Sequence, residues 1–434
     1  MCSENMEINQ KKDFKFNKFI LFRRLKNDKI IKKIEKILQN FEKKTKNKID
    51  LEKNYSKILN YIIELAEKKG FQGELIKKYI FYKFITDENI FTIKCDKYSG
   101  DIGSSLYDAA VLDIKKLKKI IKLFSYNYFL ENKYSKYSFF YNYQPKKVDK
   151  FDEVLSKFIN QIELDIDNEK EIVDNLIKYY IENGYGEYSL GTAFRWSQGK
   201  KRFYKIDKYD NIRFENIIGY DYQKNIIIEN TRQFIKGKRA SNILLMGARG
   251  TGKSSCVKAS VNMFKENGLK IIEINKKQLL DLPIIMKKIS NSSRRFIVFI
   301  DDLSFEENDY EYKEIKSVIE GGLQTLMENV VIYATSNRRH IMKEVWKDRD
   351  ELDEEIHLND TINEKLSLSD RFGIKIIFLS PTEEEYLNIV DGLANIHNIQ
   401  INEKLHREAL QWELSQNKKS GRTAKQFIDF VLRG

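Results

Sequence analysis

The run Gly247-Ala248-Arg249-Gly250-Thr251-Gly252-Lys253-Ser254-Ser255 contains the residue types that cradle a phosphate chain. Its glycines let the backbone curl so that successive N–H groups point at phosphate oxygens. The spacing G-x-x-x-x-G-K-S then supplies an ammonium, Lys253, to reach the terminal phosphates and a hydroxyl, Ser254, to bind Mg2+. An apolar stretch at 242–246 precedes the loop and an amphipathic one follows it. A strand should therefore deliver the loop, and a helix should add its positive end.

Downstream, Arg295 to Glu306 reads RFIVFIDDLSFE, an apolar strand running into Asp301 and Asp302. A carboxylate at such a strand tip can hold the shell of a Mg2+ ion, the role expected of Asp301. Asp302 stands where a water-activating carboxylate would sit, one methylene shorter than Glu. Three readings stay open for it. It works as base on a shifted helix, or Glu306 or Glu307 substitutes, or turnover is slow; slow hydrolysis is the expectation. A third apolar strand, in NVVIYATSNRRH (Asn329–His340), leads to Asn337. Its amide can orient an attacking water, or it can cap the helix that follows. Arg371 precedes another apolar stretch, 374–379. An arginine at a domain edge can steady transition-state charge in a neighbouring subunit's site, or it can pair with Asp370. Ser380-Pro381-Thr382-Glu383 predicts a capping box with proline at the first helical position, and Arg422 opens the last helix.

These side chains need a scaffold, and its outline can be read along the chain. From about residue 14 to 180 the pattern is helical. Ile30, Ile31, Ile34, Ile37 and Leu38 share one face, as do Ile114, Leu117, Ile120 and Ile121. Near Gly184 the texture becomes glycine-rich, and beyond it helices alternate with short apolar strands, which points to an α/β domain with a largely parallel sheet. The expected organisation is a mainly α-helical basic domain over 1–180, a loop-rich linker over 181–213, an α/β nucleotide-binding domain over 214–380 and a helical lid over 381–434.

Composition narrows the class. With 41% hydrophobic and 32% charged residues the chain is that of a globular protein. It has no apolar run long enough for a membrane span and no secretory leader, so a cytoplasmic location without membrane contact is expected. Three cysteines, far apart and odd in number, imply no disulfide framework, and the four histidines lack cysteines at zinc-finger spacing. The net charge of +13 is uneven. Residues 1–150 hold 34 Lys and Arg against 19 Asp and Glu, a net of +15, whereas the remainder is at −2. Such a basic region suits nucleic acid or an acidic protein partner. The chain is also rich in Lys, Asn and Ile throughout, as AT-rich coding gives, so a solvated basic surface is the competing reading. The aromatic stretch Tyr134–Lys147 can stack bases or pack helices together.

Together these elements resemble an AAA+ ATPase from about Phe214 to Gly434. More narrowly, IIGYDYQKNIIIENTRQFIKG, GARGTGKSS, DDLSFE, IYATSNRRH and EKLSLSDRFGI resemble an uncharacterised bacterial family of AAA-type predicted ATP-binding proteins. GYGEYSLGTAFRW extends that resemblance upstream to Gly184. It implies a five-stranded, mainly parallel sheet with a C-terminal helical lid, and ATP with Mg2+ as ligands. It makes Gly247–Ser254 the Walker A loop and Asp301 with Asp302 the Walker B pair. Asn337 becomes sensor 1, Arg371 an arginine finger acting between subunits of a homo-oligomer, and Arg422 the sensor 2 arginine. Ile217 and Ile218 become the adenine contacts. Most AAA+ hydrolases have Glu where this chain has Asp302, while the narrower family carries Asp-Asp.

The segment before the Walker B strand lacks the aromatic-apolar-glycine tip of threading unfoldases, which disfavours that activity. Its basic Ser290–Arg295 turn can touch nucleic acid or simply be solvated. Two functions remain: an ATPase that remodels a macromolecular partner, and an ATP-binding switch or scaffold with little turnover. Arg371 favours the first and Asp302 the second. A small-molecule kinase fits poorly, because it needs neither an arginine finger nor a sensor 2 lid.

Overall fold

The computed structural model describes residues 16–42, 48–122, 140–146, 153–161, 168–206, 209–303, 327–337 and 371–433. The chain forms two compact units, Met1–Gly191 and Thr192–Gly434.

The first unit is helical: α1 (Lys29–Glu42), α2 (Lys48–Lys69), α3 (Leu75–Ile85), α4 (Ile90–Lys97), α5 (Ser104–Lys122), α6 (Glu153–Gln161) and α7 (Glu169–Asn183). Local signals start and stop these helices. Asn89 and Thr92 form a reciprocal capping box at α4, and α7 ends at Gly184 with φ +79°, a positive-φ conformation that glycine adopts without strain. The apolar stripe of α5, Ile114, Leu117, Ile120 and Ile121, is buried. Phe22 stacks on Phe84 at 3.6 Å between centroids. On the polar side of that core, the fully buried Asp113 carboxylate accepts from the backbone N–H groups of Ile20 and Leu21 at 2.9 and 2.8 Å. It thereby ties the chain ahead of α1 to α5, since a buried carboxylate is tolerated only when its acceptors are used. Of the aromatic stretch 134–147 only 140–146 are described, and Phe140 is buried. No helix among the described residues is long and apolar enough to cross a membrane.

The second unit is built on one sheet: β1 (Ala193–Ser197), β2 (Arg202–Lys205), β3 (Ile243–Gly247), β4 (Leu269–Ile274), β5 (Arg295–Ile300), β6 (Val330–Ser336) and β7 (Ile374–Phe378). Their order is β2-β1-β4-β5-β6-β3-β7. All neighbours are parallel except β1 and β2. The five strands expected from the apolar runs are there, and the sheet is wider than expected by two. Residues 193–205, inside the segment expected to be a linker, form an antiparallel hairpin whose β1 pairs with β4. Side chains fix it in place: the Trp196 indole donates to Asp281 at 2.8 Å, and the Gln278 amide donates to the Trp196 carbonyl at 2.7 Å.

Helices α8 (Asp221–Ile235), α9 (Lys253–Phe264) and α10 (Leu282–Ile289) accompany the sheet, and α11 (Glu383–Ile396), α12 (Glu403–Gln416) and α13 (Gly421–Val431) form the lid. The capping box at the lid lies two residues later than expected: Thr382 caps α11 and pairs reciprocally with Glu385. Proline at 381 then precedes the cap, where it stiffens the approach instead of opening the helix. Each part has its own core. Ile243, Leu245, Val257, Ile297 and Tyr333 are buried at the sheet, and Tyr386, Val390, Leu405 and Phe427 in the lid.

The strand order decides the site. With β6 between β5 and β3, the C-terminal ends of these three strands are neighbours. The register sets Ile300 against Ala334 and Met246 against Ser336, so the residues that follow each strand emerge side by side.

Candidate functional site at the phosphate loop

Gly247, Gly250 and Gly252 all have positive φ, at +139°, +86° and +90°. At Gly247 no other residue fits, because a Cβ would lie 2.0 Å from the Phe378 carbonyl oxygen on β7. The loop closes on itself through Thr251, whose hydroxyl donates to the Ala248 carbonyl at 2.9 Å. Lys253 opens α9 and is buried. Its ammonium donates to the carbonyls of Gly247 and Ala248 at 2.9 and 2.7 Å and to Asn337 Oδ1 at 3.1 Å. Burial pushes this ammonium down to about 8, and the nearby Asp301 and Asp302 carboxylates pull it back only in part.

Beside it, Asp301 Oδ1 accepts from Ser254 Oγ at 2.7 Å and from Thr335 Oγ1 at 2.6 Å. A hydroxyl and a carboxylate converging in this way are hard oxygen donors that suit Mg2+. The Thr335 hydroxyl also accepts from the Asp302 N–H at 2.9 Å. That bond holds Asp302 in the left-handed conformation at φ +55°, which Asp tolerates better than most residues. The Asp302 carboxylate is itself engaged. Asn337 Nδ2 donates to Oδ1 at 2.5 Å, and Arg249 Nη2 lies 3.6 Å from Oδ2.

The lid closes the other side. The Arg422 N–H donates to the Gly250 carbonyl at 3.2 Å, and a Cβ on Gly250 would meet Ser420 Oγ at 2.8 Å. Ile217 is buried with the sheet core, whereas Ile218 packs against the lid core. Two consecutive residues thus bridge the halves of the cleft. Its volume is about 880 Å3, and its walls include Ile218, Lys253, Asp301, Asn337, Leu393 and Arg422.

Of the residues expected from sequence, Ile217, Ile218, Arg249, Gly250, Thr251, Gly252, Lys253, Ser254, Ser255, Asp301, Asp302, Asn337 and Arg422 all line this one cleft. Gly247 and Ala248 hold Lys253 from beneath. Arg371 is not brought to it. It is exposed and precedes the N-terminal end of β7, whereas the phosphate loop leaves the C-terminal end of β3. Four residue steps along the strand take Ile374 to Phe378, about 13 Å at 3.3 Å per residue. Glu306 and Glu307 lie outside the described residues. Sequence reasoning missed Thr335, Leu393 and Lys425, all of which line the cleft. Lys425 had a findable signal, since it lies three residues after Arg422 on the same helix and so on the same face.

A mainly parallel sheet with a phosphate loop after β3, acidic side chains after β5, an amide after the intervening β6 and a helical lid make an α/β fold of the phosphate-loop type. The chain belongs to the family described as a protein of unknown function (DUF815), which matches residues 190–433. Among solved structures it is similar to the Thermotoga maritima RuvB Holliday junction branch migration motor, with 13% identity over 50% of this chain and 72% of that one, at a TM-score of 0.31. It is also similar to a replication initiator DnaA bound to AMPPCP and single-stranded DNA, with 17% identity over 51% of this chain and 64% of that one, at a TM-score of 0.36. None of the curated proteins matches the chain.

Proposed function

We propose that this protein binds Mg2+·ATP in the cleft between the sheet and the lid, and that it hydrolyses the nucleotide slowly to drive remodelling of a macromolecular partner. The observation that carries this reading is the convergence of Lys253, Ser254, Asp301, Asp302, Asn337 and Arg422 on one cleft. In this reading Lys253 leaves the Gly247 and Ala248 carbonyls for the β- and γ-phosphates. Ser254 and Asp301 would hold Mg2+, and the ion would supply charge neutralisation at the phosphate oxygens. Asn337 positions water, and Asp302 takes a proton from it as the water oxygen bonds to the γ-phosphorus and the bond from that phosphorus to the bridging oxygen breaks, releasing ADP and phosphate. Arg422 brings the lid to the phosphates, and Ile217 and Ile218 offer an apolar surface to the base.

Arg371, at the far end of the sheet, cannot serve its own cleft and would act on a neighbouring subunit's nucleotide. Where such arginines have been measured they are worth about 10³–10⁵ in rate. A second reading, an ATP-dependent switch with little turnover, is favoured by the engaged Asp302 carboxylate. The basic excess within residues 1–150 supports an acidic or nucleic-acid partner.

Steady-state ATP hydrolysis over a protein concentration series distinguishes the two readings. Turnover per chain that rises with concentration, and collapses in both Asp302→Asn and Arg371→Ala, supports the assembled hydrolase. Binding without turnover at every concentration supports the switch.

A further inference from the structure

The cleft contains a contact that the hydrolytic reading leaves unused. Arg249 is a loop residue whose guanidinium lies 3.6 Å from Asp302 Oδ2. The same carboxylate accepts from Asn337, and Asn337 in turn accepts from Lys253. Lys253, Asn337, Asp302 and Arg249 therefore form a continuous polar chain across the mouth of the phosphate loop. Both cations in it are engaged by protein oxygens: Lys253 by two carbonyls and an amide, Arg249 by a carboxylate. A carboxylate bridging a loop arginine and a strand-end amide occupies those donors as an anionic phosphate oxygen would.

We infer that Asp302 acts as an internal stand-in for the terminal phosphate, latching Arg249 until a nucleoside triphosphate displaces it. This inference rests on the reading that the cleft binds ATP, and it adds a sensing residue that the reading does not require. The γ-phosphate, more highly charged than a carboxylate, takes Arg249. Asp302 then loses its ionic partner and becomes available to water. A diphosphate, lacking that group, leaves Arg249 on Asp302. The latch thus couples the presence of the third phosphate to release of the base, with Arg249 as the residue that senses that phosphate. Both side chains are more than half exposed, at 65% and 52%. Replacing either should leave the fold intact, and the pair should be worth only the modest amount typical of exposed ion pairs.

The test is a double-mutant cycle on binding, which does not depend on turnover. A fluorescent non-hydrolysable ATP analogue with Mg2+, and the matching ADP, are titrated into wild type, Arg249→Ala, Asp302→Asn and the double variant. Removing the Asp302 charge eases repulsion of any nucleotide in every background. With Arg249 present it should tighten the triphosphate by about a further threefold, an increment absent in the Arg249→Ala background. The diphosphate should show no such coupling, and Arg249→Lys, which keeps the charge, should restore it for the triphosphate. Additive effects, or equal coupling with the diphosphate, would overturn the latch while leaving the nucleotide site standing. Absence of binding by every protein, wild type included, would overturn the nucleotide site and the latch with it.

Discussion

Ile218 and Gly392 meet where the sheet domain joins the lid: a methyl added to Gly392 would sit 2.7 Å from Ile218 Cγ1. Gly392 lies within α11, where alanine would ordinarily stabilise the helix by about 1 kcal/mol. The glycine therefore serves close approach, not helix formation. In Gly392→Ala the Ile218 side chain must shift away from the lid, and it lines the cleft. The expected outcome is a melting temperature within a few degrees of wild type together with nucleotide affinity lower by about fivefold, the loss of part of one apolar contact. Thermal melts and nucleotide titrations on the same preparations separate the two effects. An unchanged affinity would mean that the base does not rest on Ile218.

Thr335 is the positioning residue of the acidic pair. Its hydroxyl donates to Asp301 and accepts from the Asp302 N–H. Valine fills the same space without the hydroxyl, and unpartnered groups of this kind cost about 1–3 kcal/mol. Thr335→Val should reduce turnover by about tenfold or more, about 1.4 kcal/mol in the barrier, with little change in nucleotide affinity. Thr335→Ser should restore turnover. Steady-state rates set beside equilibrium titrations check the split, and a loss confined to affinity would count against the assignment.

The displaced titration of Lys253 gives a pH dependence of definite sign. Burial lowers its value to about 8. Phosphate oxygens favour the charged ammonium, so binding raises that value again. Below about 8 the lysine is already protonated and affinity is flat. Above it, binding must take up a proton, and affinity should fall about tenfold per pH unit. Titrations from pH 7 to 9.5 test this, as does a calorimetric proton count in two buffers. A constant affinity across that range would show that Lys253 does not contact the phosphates.

Much of the site was legible in the sequence because its parts obey short-range rules. Glycines at 247, 250 and 252 are required by positive φ. The strands β3, β5 and β6 are buried on both faces and so read as uninterrupted apolar runs. What stayed hidden depends on contacts between distant residues. Thr335 looks like an ordinary strand residue until the register sets it beside Asp301. The β1–β2 hairpin has a glycine before it and another in its turn, and nothing local says that Phe194 will pair with Ile272 on β4. Leu393 lies on an amphipathic lid helix, whose periodicity names a buried face but not the face that meets the cleft. The Arg249–Asp302 pair joins residues more than fifty positions apart, a distance over which sequence pattern carries no signal.

The central claim is that the cleft binds Mg2+·ATP through the phosphate loop, and isothermal titration of ATP with Mg2+ into wild type and Lys253→Ala tests it most directly. The expected result is one nucleotide per chain in the wild type and a loss of about a hundredfold or more in the variant, since a buried charged contact to phosphate is worth about 3 kcal/mol. Equal binding by both proteins, or none by the wild type, would contradict it.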